Sequence, residues 1–84
     1  TVTAAGEVDL VTAGAFRDAI GGVVEGAGRV VVDLTHLTYL DSAGIKVLFE
    51  FAGRPVEIVV SDGSLVRRIL SIAGLDRQFP VVER

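Results

Sequence analysis

The sequence predicts a small α/β domain built on a mixed, mostly parallel sheet with helices packed on it. The β-branched runs Val30–Leu34 and Val56–Val60 have the composition of buried strands. Between and beside them, apolar residues recur at helical spacing, first after Phe16 and again from Ile45 to Leu48. Half of the 84 residues are hydrophobic, which is ample for one compact core. The alternation of strands and helices therefore indicates a single α/β unit.

The first part of the chain is expected to form strand, helix and strand. The first strand is expected over Thr1–Ala5, with Val8–Leu10 as its exit. Thr12 has a side chain suited to an N-cap, and Gly26 and Gly28 are placed to end the helix. A crossover of this length predicts parallel strands and a right-handed connection. The apolar face of this helix is expected to contain Phe16, Ile20, Val23 and Val24.

A second helix is expected from Ser42 to about Phe51, directly after the central strand. Either Asp41 or Ser42 has a side chain suited to its N-cap. A Gly-Arg-Pro breaker that ends at Pro55 limits this helix to about two to three turns. Since Phe49 and Phe51 are two residues apart, they cannot point the same way, and one of them is expected on the surface.

The last third of the chain predicts a helix and an edge strand. The turn Ser61–Ser64 precedes the helix, and Gly74 is placed as a left-handed C-cap with Leu75 as its hydrophobic contact. Phe79–Val82 is expected to add an edge strand, where Pro80 is tolerated. The inward face of the third helix is expected to contain Leu65, Ile69, Leu70 and Ala73.

Composition argues against several classes of function. The formal net charge is −3, and Arg67 and Arg68 are the only adjacent pair among eight basic residues, so direct nucleic-acid binding is not expected. The pair is expected either on the solvated side of the third helix or in a docking contact.

Cysteine is absent and histidine occurs once, and no nucleotide-binding glycine motif or calcium-loop spacing is present, so no metal and no cofactor is expected. No apolar run is long enough to cross a bilayer and no leader is visible, so membrane insertion is not expected. The absence of cysteine fits a reducing compartment, and we expect a cytoplasmic location.

The segment Leu40-Asp41-Ser42-Ala43-Gly44-Ile45 places a hydroxyl between a buried strand and the first turn of a helix. Free N–H groups and the positive end of the dipole favour negative charge there, so a phosphate on Ser42 would be tolerated. The simpler alternative is that Ser42 is only an N-cap. Asp33 is expected to cap or form a turn in a Thr35–Thr38 loop.

A hydrolase with Ser42 as nucleophile is not expected. The nucleophile elbow requires glycine two residues before the serine, and Leu40 occupies that position. His36 lies six residues upstream, and no sequence feature indicates that its ring reaches the hydroxyl. The chain is therefore expected not to be an enzyme.

Four motifs in order resemble the STAS domain family, and within it the bacterial anti-sigma factor antagonists. The resemblance spans nearly the whole chain, residues 1–84. Each motif is weak alone, but the ordered set is fairly specific for the family. The motifs are Gly6-Glu7-Val8-Asp9-Leu10 with Thr12-Ala13, then Val31-Val32-Asp33-Leu34, then Tyr39-Leu40-Asp41-Ser42-Ala43-Gly44, and finally Val66-Arg67-Arg68-Ile69-Leu70 leading to Ala73-Gly74-Leu75-Asp76.

The resemblance implies a protein-binding switch in which Ser42 is the phosphate acceptor. The unphosphorylated form would bind an anti-sigma factor of the serine-kinase type and thereby release a sigma factor, and phosphorylation of Ser42 would end the binding. Asp9 is expected either to make local hydrogen bonds at a strand end or to line this surface. The expected partner-binding residues are Asp9, Asp41, Ser42, Ala43, Gly44, Ile45 and Lys46.

Two features of the chain differ from the usual family pattern. Family members usually carry a longer second helix and loop, and the shortened one here implies an altered docking surface. They also usually have a further strand ahead of the position of Thr1, and its absence would leave an edge open to weak homodimerisation. The alternatives are a STAS subunit or domain of a membrane transport system, in which Ser42 is structural, and a degenerate domain that no longer docks on a kinase.

Overall fold

The computed structural model describes residues 1–26 and 28–84. Its strands and helices alternate along the chain, and a 3-10 turn, Leu75–Arg77, precedes the last strand. None of the helices in the described ranges is long and apolar enough to cross a membrane. In chain order the elements are β1 (Val2–Val8), α1 (Ala13–Gly26), β2 (Val30–Leu40), α2 (Ser42–Glu50), β3 (Val56–Val60), α3 (Leu65–Ala73) and β4 (Val81–Glu83).

The four described strands form one sheet in the order β1-β2-β3-β4. Val2 of β1 is in register with Val32 of β2, and Ile58 of β3 is in register with Val81 of β4. All three described pairings are parallel, which confirms the predicted mostly parallel sheet, and no antiparallel pairing is present among the described strands. The physical reason is that a helix or a longer crossover joins every pair of neighbours, which returns each strand in the same direction.

One face of the sheet carries the core. Alternate residues of the central strands, among them Val30, Val32 and Ile58, are buried in a cluster shared with all three helices. The α1 contribution confirms the predicted face: Phe16 and Ile20 are buried, together with Val24, and Val23 packs partly against them. The helices thus cover the same face and leave their other sides to solvent.

β2 is longer than its apolar composition indicated. It continues from Leu34 to Leu40, so the expected Thr35–Thr38 loop is wrong. The added residues pair with β1 across a register shift between Thr3 and Ala5. The Asp33 carboxylate accepts hydrogen bonds from the Thr35 hydroxyl at 2.7 Å and its backbone N at 2.9 Å. These bonds lower the pKa of Asp33 and confirm its local role, here at a strand irregularity rather than a loop.

The structure confirms most of the predictions for α3 and the residues that follow it. Gly74 is left-handed, with φ of 83°, and Leu75 beyond it is fully buried. β4 begins just after Pro80, and Phe79 enters the core instead of the strand. Leu65, expected inward, is 52% exposed. The helix is rotated so that Val66 and Leu70, four residues apart, face the sheet.

Candidate functional site

The candidate site lies where β1 and β2 end side by side. Val8 and Leu40 are the last residues in register, and the Asp41 backbone N donates to the Val8 carbonyl oxygen at 3.1 Å. Both strands then lead into helices at the same edge of the sheet. Asp9 and Asp41, the first residues beyond the paired ends, are therefore neighbours although they are far apart in sequence.

Asp41 is the N-cap of α2, which decides between the two residues that the sequence offered. Its backbone is extended, with φ of −90° and ψ of −173°. Its Oδ1 accepts hydrogen bonds from the backbone N of Ala43 at 2.8 Å and of Gly44 at 3.2 Å. Ser42 is then the first helical residue and is exposed, and within the described residues its hydroxyl takes part in no hydrogen bond. The Asp41 carboxylate alone therefore supplies the side-chain cap of α2, without the Ser42 hydroxyl.

The loop before α1 is held by a second aspartate. Thr12, predicted as the N-cap, directly precedes α1, and its hydroxyl bonds back to Asp9. Asp9 Oδ1 accepts from the backbone N of Val11 and of Thr12, each at 3.0 Å. In return, the Thr12 hydroxyl accepts from the Asp9 backbone N at 2.9 Å. This reciprocal pair resembles a capping box, with threonine as the third residue after the cap. The hydrogen bonds from Thr12 lower the pKa of Asp9.

Two apolar side chains project from this loop. Leu10 is 82% exposed and Val11 is 89% exposed. Sequence reasoning placed Leu10 at a strand exit and missed both residues. The available signal was an adjacent apolar pair between two capping residues, out of phase with the helix that follows. Because the Asp9 bonds fix the loop, these side chains are presented to solvent in a defined position, as a docking anchor requires.

Gly44 is buried, so it acts by packing and not by surface contact. An ideal Cβ at this position would lie 2.3 Å from Leu40 Cδ1 and 2.8 Å from Val8 Cγ1. Both distances are shorter than any normal carbon contact. The first turn of α2 therefore rests directly on the last residues of β1 and β2, and only glycine allows this approach.

The exposed side of α2 forms a stripe of three residues: Ser42, Lys46 and Phe49. They follow one another at spacings of four and three residues, and Phe49 is 38% exposed. Phe51 is half-buried, so Phe49 is the surface phenylalanine of the predicted pair. The loop with Leu10 and Val11 follows β1, whose end pairs with the strand end that leads into α2. We call these three residues, together with Leu10 and Val11, the switch surface. Ala43 and Ile45, also expected to contact a partner, are half-buried at its base.

An ion pair joins the end of α2 to α1. Arg17 Nε and Nη2 donate to the two carboxylate oxygens of Glu50 at 2.6 Å and 3.1 Å. The bidentate geometry lowers the pKa of Glu50. Both side chains are substantially exposed, so the pair orients the end of the helix more than it stabilises the fold.

Within residues 1–26 and 28–84, no side chain is hydrogen-bonded to the Ser42 hydroxyl as a general base would be. His36 is exposed on β2 and shares no hydrogen bond with Ser42 in the described ranges. Among the same residues, no cluster of three or more histidine or acidic side chains is arranged to hold a metal ion. What the structure brings together is an exposed hydroxyl, two capping carboxylates, one cation and an exposed apolar pair.

Comparison with known proteins assigns the fold to a family. A family profile described as "Mlab, STAS domain" matches residues 1–83. The chain therefore belongs to the STAS domain family.

Within that family, the chain is similar to anti-sigma factor antagonists. It is 42% identical over 79 residues to the anti-sigma-F factor antagonist RsfB of Mycobacterium tuberculosis, a match that covers 88% of this chain and 65% of the relative. The chain thus spans slightly less than two thirds of that relative's length. The crystal structure of an anti-sigma factor antagonist from Mycobacterium paratuberculosis superposes with a TM-score of 0.79 at 35% identity, covering 95% of this chain and 73% of that one.

Proposed function

We propose that this domain is an anti-sigma factor antagonist whose binding is controlled by phosphorylation of Ser42. The observation that carries the proposal is the division of labour at the start of α2. Asp41 caps the helix through Ala43 and Gly44, so the Ser42 hydroxyl is exposed and has no structural task within the described residues. The similarity to RsfB supports the antagonist class.

In the unphosphorylated state, the switch surface binds an anti-sigma factor of the serine-kinase type and displaces a sigma factor from it. Leu10 and Val11 supply the apolar contacts, because they are the most exposed large hydrophobic side chains of the described residues. Lys46 and Phe49 extend the contact along α2. Asp9 acts by holding the loop, and Gly44 by seating the helix on the sheet.

Phosphorylation ends the binding by electrostatics and desolvation. A phosphate adds about −1.5 to −2 charges at neutral pH, next to the Asp41 carboxylate. An interface that accepts a neutral hydroxyl has no partner group for this charge. Desolvating the phosphate against such an interface costs on the order of several kcal/mol, which is enough to abolish a typical transient complex.

A binding titration with an anti-sigma factor of the serine-kinase type from the same organism tests the proposal. Ser42→Ala is expected to bind as tightly as the unmodified chain, because it adds no charge and removes a hydroxyl that makes no hydrogen bond within the described residues. Ser42→Asp is expected to bind at least about tenfold more weakly, since it adds a negative charge to the switch surface next to Asp41.

Gln78→Glu is the matched control for the added charge. Gln78 is exposed, follows the 3-10 turn on the α3 side and lies outside the switch surface. The substitution adds one negative charge, as Ser42→Asp does. Its affinity should match the unmodified chain. Equal affinity of Ser42→Ala and Ser42→Asp would contradict the switch.

A further inference from the structure

Helix α2 carries a cation on the same face as the proposed phosphate acceptor. Lys46 follows Ser42 by four residues, and both side chains are exposed. Side chains at this spacing are neighbours on a helix, with Cβ atoms about 5–6 Å apart. The flexible lysine stem therefore brings its ammonium within reach of a group attached to Ser42 Oγ.

The backbone near Ser42 has few hydrogen-bond donors left for a phosphate. The N–H groups at a helix start normally bind anions. Here the Asp41 carboxylate already accepts from Ala43 and Gly44, and the Ile45 backbone N donates to the Asp41 carbonyl oxygen at 3.0 Å. A phosphate on Ser42 would also lie beside the negative charge of Asp41. It therefore needs a cation that the helix terminus does not supply.

The other charged groups around the site are committed or carry the wrong sign. Arg17 binds both carboxylate oxygens of Glu50. Asp9 is negative and is held by its own loop. Within the described ranges Lys46 takes part in no ion pair, although Glu50 lies four residues further along the helix.

We propose that Lys46 is the intramolecular counter-ion of phosphorylated Ser42, folding back along α2 to pair with the phosphate. This inference rests on the proposed phosphorylation of Ser42. Its consequence is that phosphorylation changes two side chains of the switch surface. The phosphate adds charge at one position, and the pairing withdraws the Lys46 ammonium from the partner at the next turn.

The test is a ³¹P NMR titration of the chain carrying phosphoserine at position 42, installed by genetic encoding so that no kinase is involved. A nearby cation favours the dianion, so Lys46 lowers the second phosphate pKa. In Lys46→Gln at low ionic strength this pKa, ordinarily about 6, is expected to rise by about 0.2–0.4. Lys46→Arg keeps the charge and is expected to retain the low value.

Arg68→Gln is the matched control, because it removes one exposed positive charge from α3 and leaves α2 unchanged. Its phosphate pKa should change by less than about 0.1, since screening limits the effect of distant surface charges. An unchanged pKa in Lys46→Gln would overturn the proposal, as would an equal rise in Arg68→Gln. Because the phosphate is installed without a kinase, either failure is distinct from a failure of the kinase to modify Ser42.

Discussion

α2 and α3 begin in nearly the same way, and their differences separate structure from function. Each helix has nine residues and an N-cap whose side chain accepts a backbone hydrogen bond. In α3 the cap is a serine: Ser64 Oγ accepts from the Arg67 backbone N at 3.1 Å. In α2 the cap is Asp41, and the serine is one residue further along, exposed. The same residue type is structural at one helix and available for modification at the other.

The residues that follow the two caps extend this contrast. The Arg67 side chain joins α3 to its surroundings, because it pairs with Glu83 of β4, bonds to Ser71 and lies 3.6 Å from Asp76. The corresponding position in α2 is Gly44, which packs on the strand ends and makes no side-chain bond. The start of α3 is thus joined to its surroundings by polar side-chain contacts, whereas the start of α2 is packed on the strand ends and leaves the Ser42 hydroxyl exposed.

The largest expected effect is the loss of binding affinity when the exposed apolar residues of the loop before α1 are replaced. Replacing both Leu10 and Val11 by serine should weaken binding to the anti-sigma factor about 30- to 100-fold, since two anchor side chains lose their burial in the complex. The free energy of unfolding should change little, because both side chains are already exposed. Calorimetric titration and urea unfolding measure the two effects.

The control for this pair lies on α3. Leu65 and Ile72 are 52% and 79% exposed, on the helix assigned no role in docking. Replacing both by serine should leave the affinity unchanged. If the α3 pair weakened binding as much as the loop pair, the switch surface would be misplaced.

Gly44→Ala tests the close-packed base of α2. The added methyl would overlap Leu40 and Val8, both nearly fully buried, and should lower the free energy of unfolding by about 1–3 kcal/mol. Gly14→Ala is the matched change in α1, where a Cβ meets no atom within 4 Å. That variant should be more stable by about 0.5–1 kcal/mol, because alanine is the better helix former. Equal effects in urea unfolding would refute the packing explanation.

The smallest expected effects are the changes in the free energy of unfolding when the N-caps of α2 and α3 are replaced. Asp41→Ala and Ser64→Ala should each lower the free energy of unfolding by about 1 kcal/mol, since each removes the acceptor of a helix-start N–H group. Ser42→Ala should change it by less than about 0.5 kcal/mol, in keeping with an exposed site. Urea unfolding of the three variants gives the comparison. A loss in Ser42→Ala as large as that in Ser64→Ala would make Ser42 structural.

The sequence predicted most of the fold because its strong local signals agree. The apolar spacing of α1 and the run Val56–Val60 are found where they were expected. The predictions failed where the deciding contact is not local. β2 continues through Thr35–Tyr39 because β1 pairs with it there, and this long-range pairing is not visible in the segment's own sequence.

The candidate site was predicted only in part, for a related reason. The motif identified Ser42 and left the cap open between two adjacent residues, because both aspartate and serine favour that position. The backbone geometry decides between them. The roles of Leu10 and Val11 depend on how the loop after Asp9 folds. That loop is held by reciprocal hydrogen bonds between Asp9 and Thr12, whereas the sequence indicated only a capping role for Thr12.

The most direct test of the central claim is phosphate mapping after incubation with ATP and the serine-kinase anti-sigma factor of the same organism. Intact mass and peptide mapping would be compared for the unmodified chain, Ser42→Ala and Ser64→Ala. The expected result is one phosphate on Ser42, retained in Ser64→Ala and lost in Ser42→Ala. A phosphate that persists in Ser42→Ala, or no phosphate on the unmodified chain, would contradict the claim that the serine left unused by the cap of α2 is the switch.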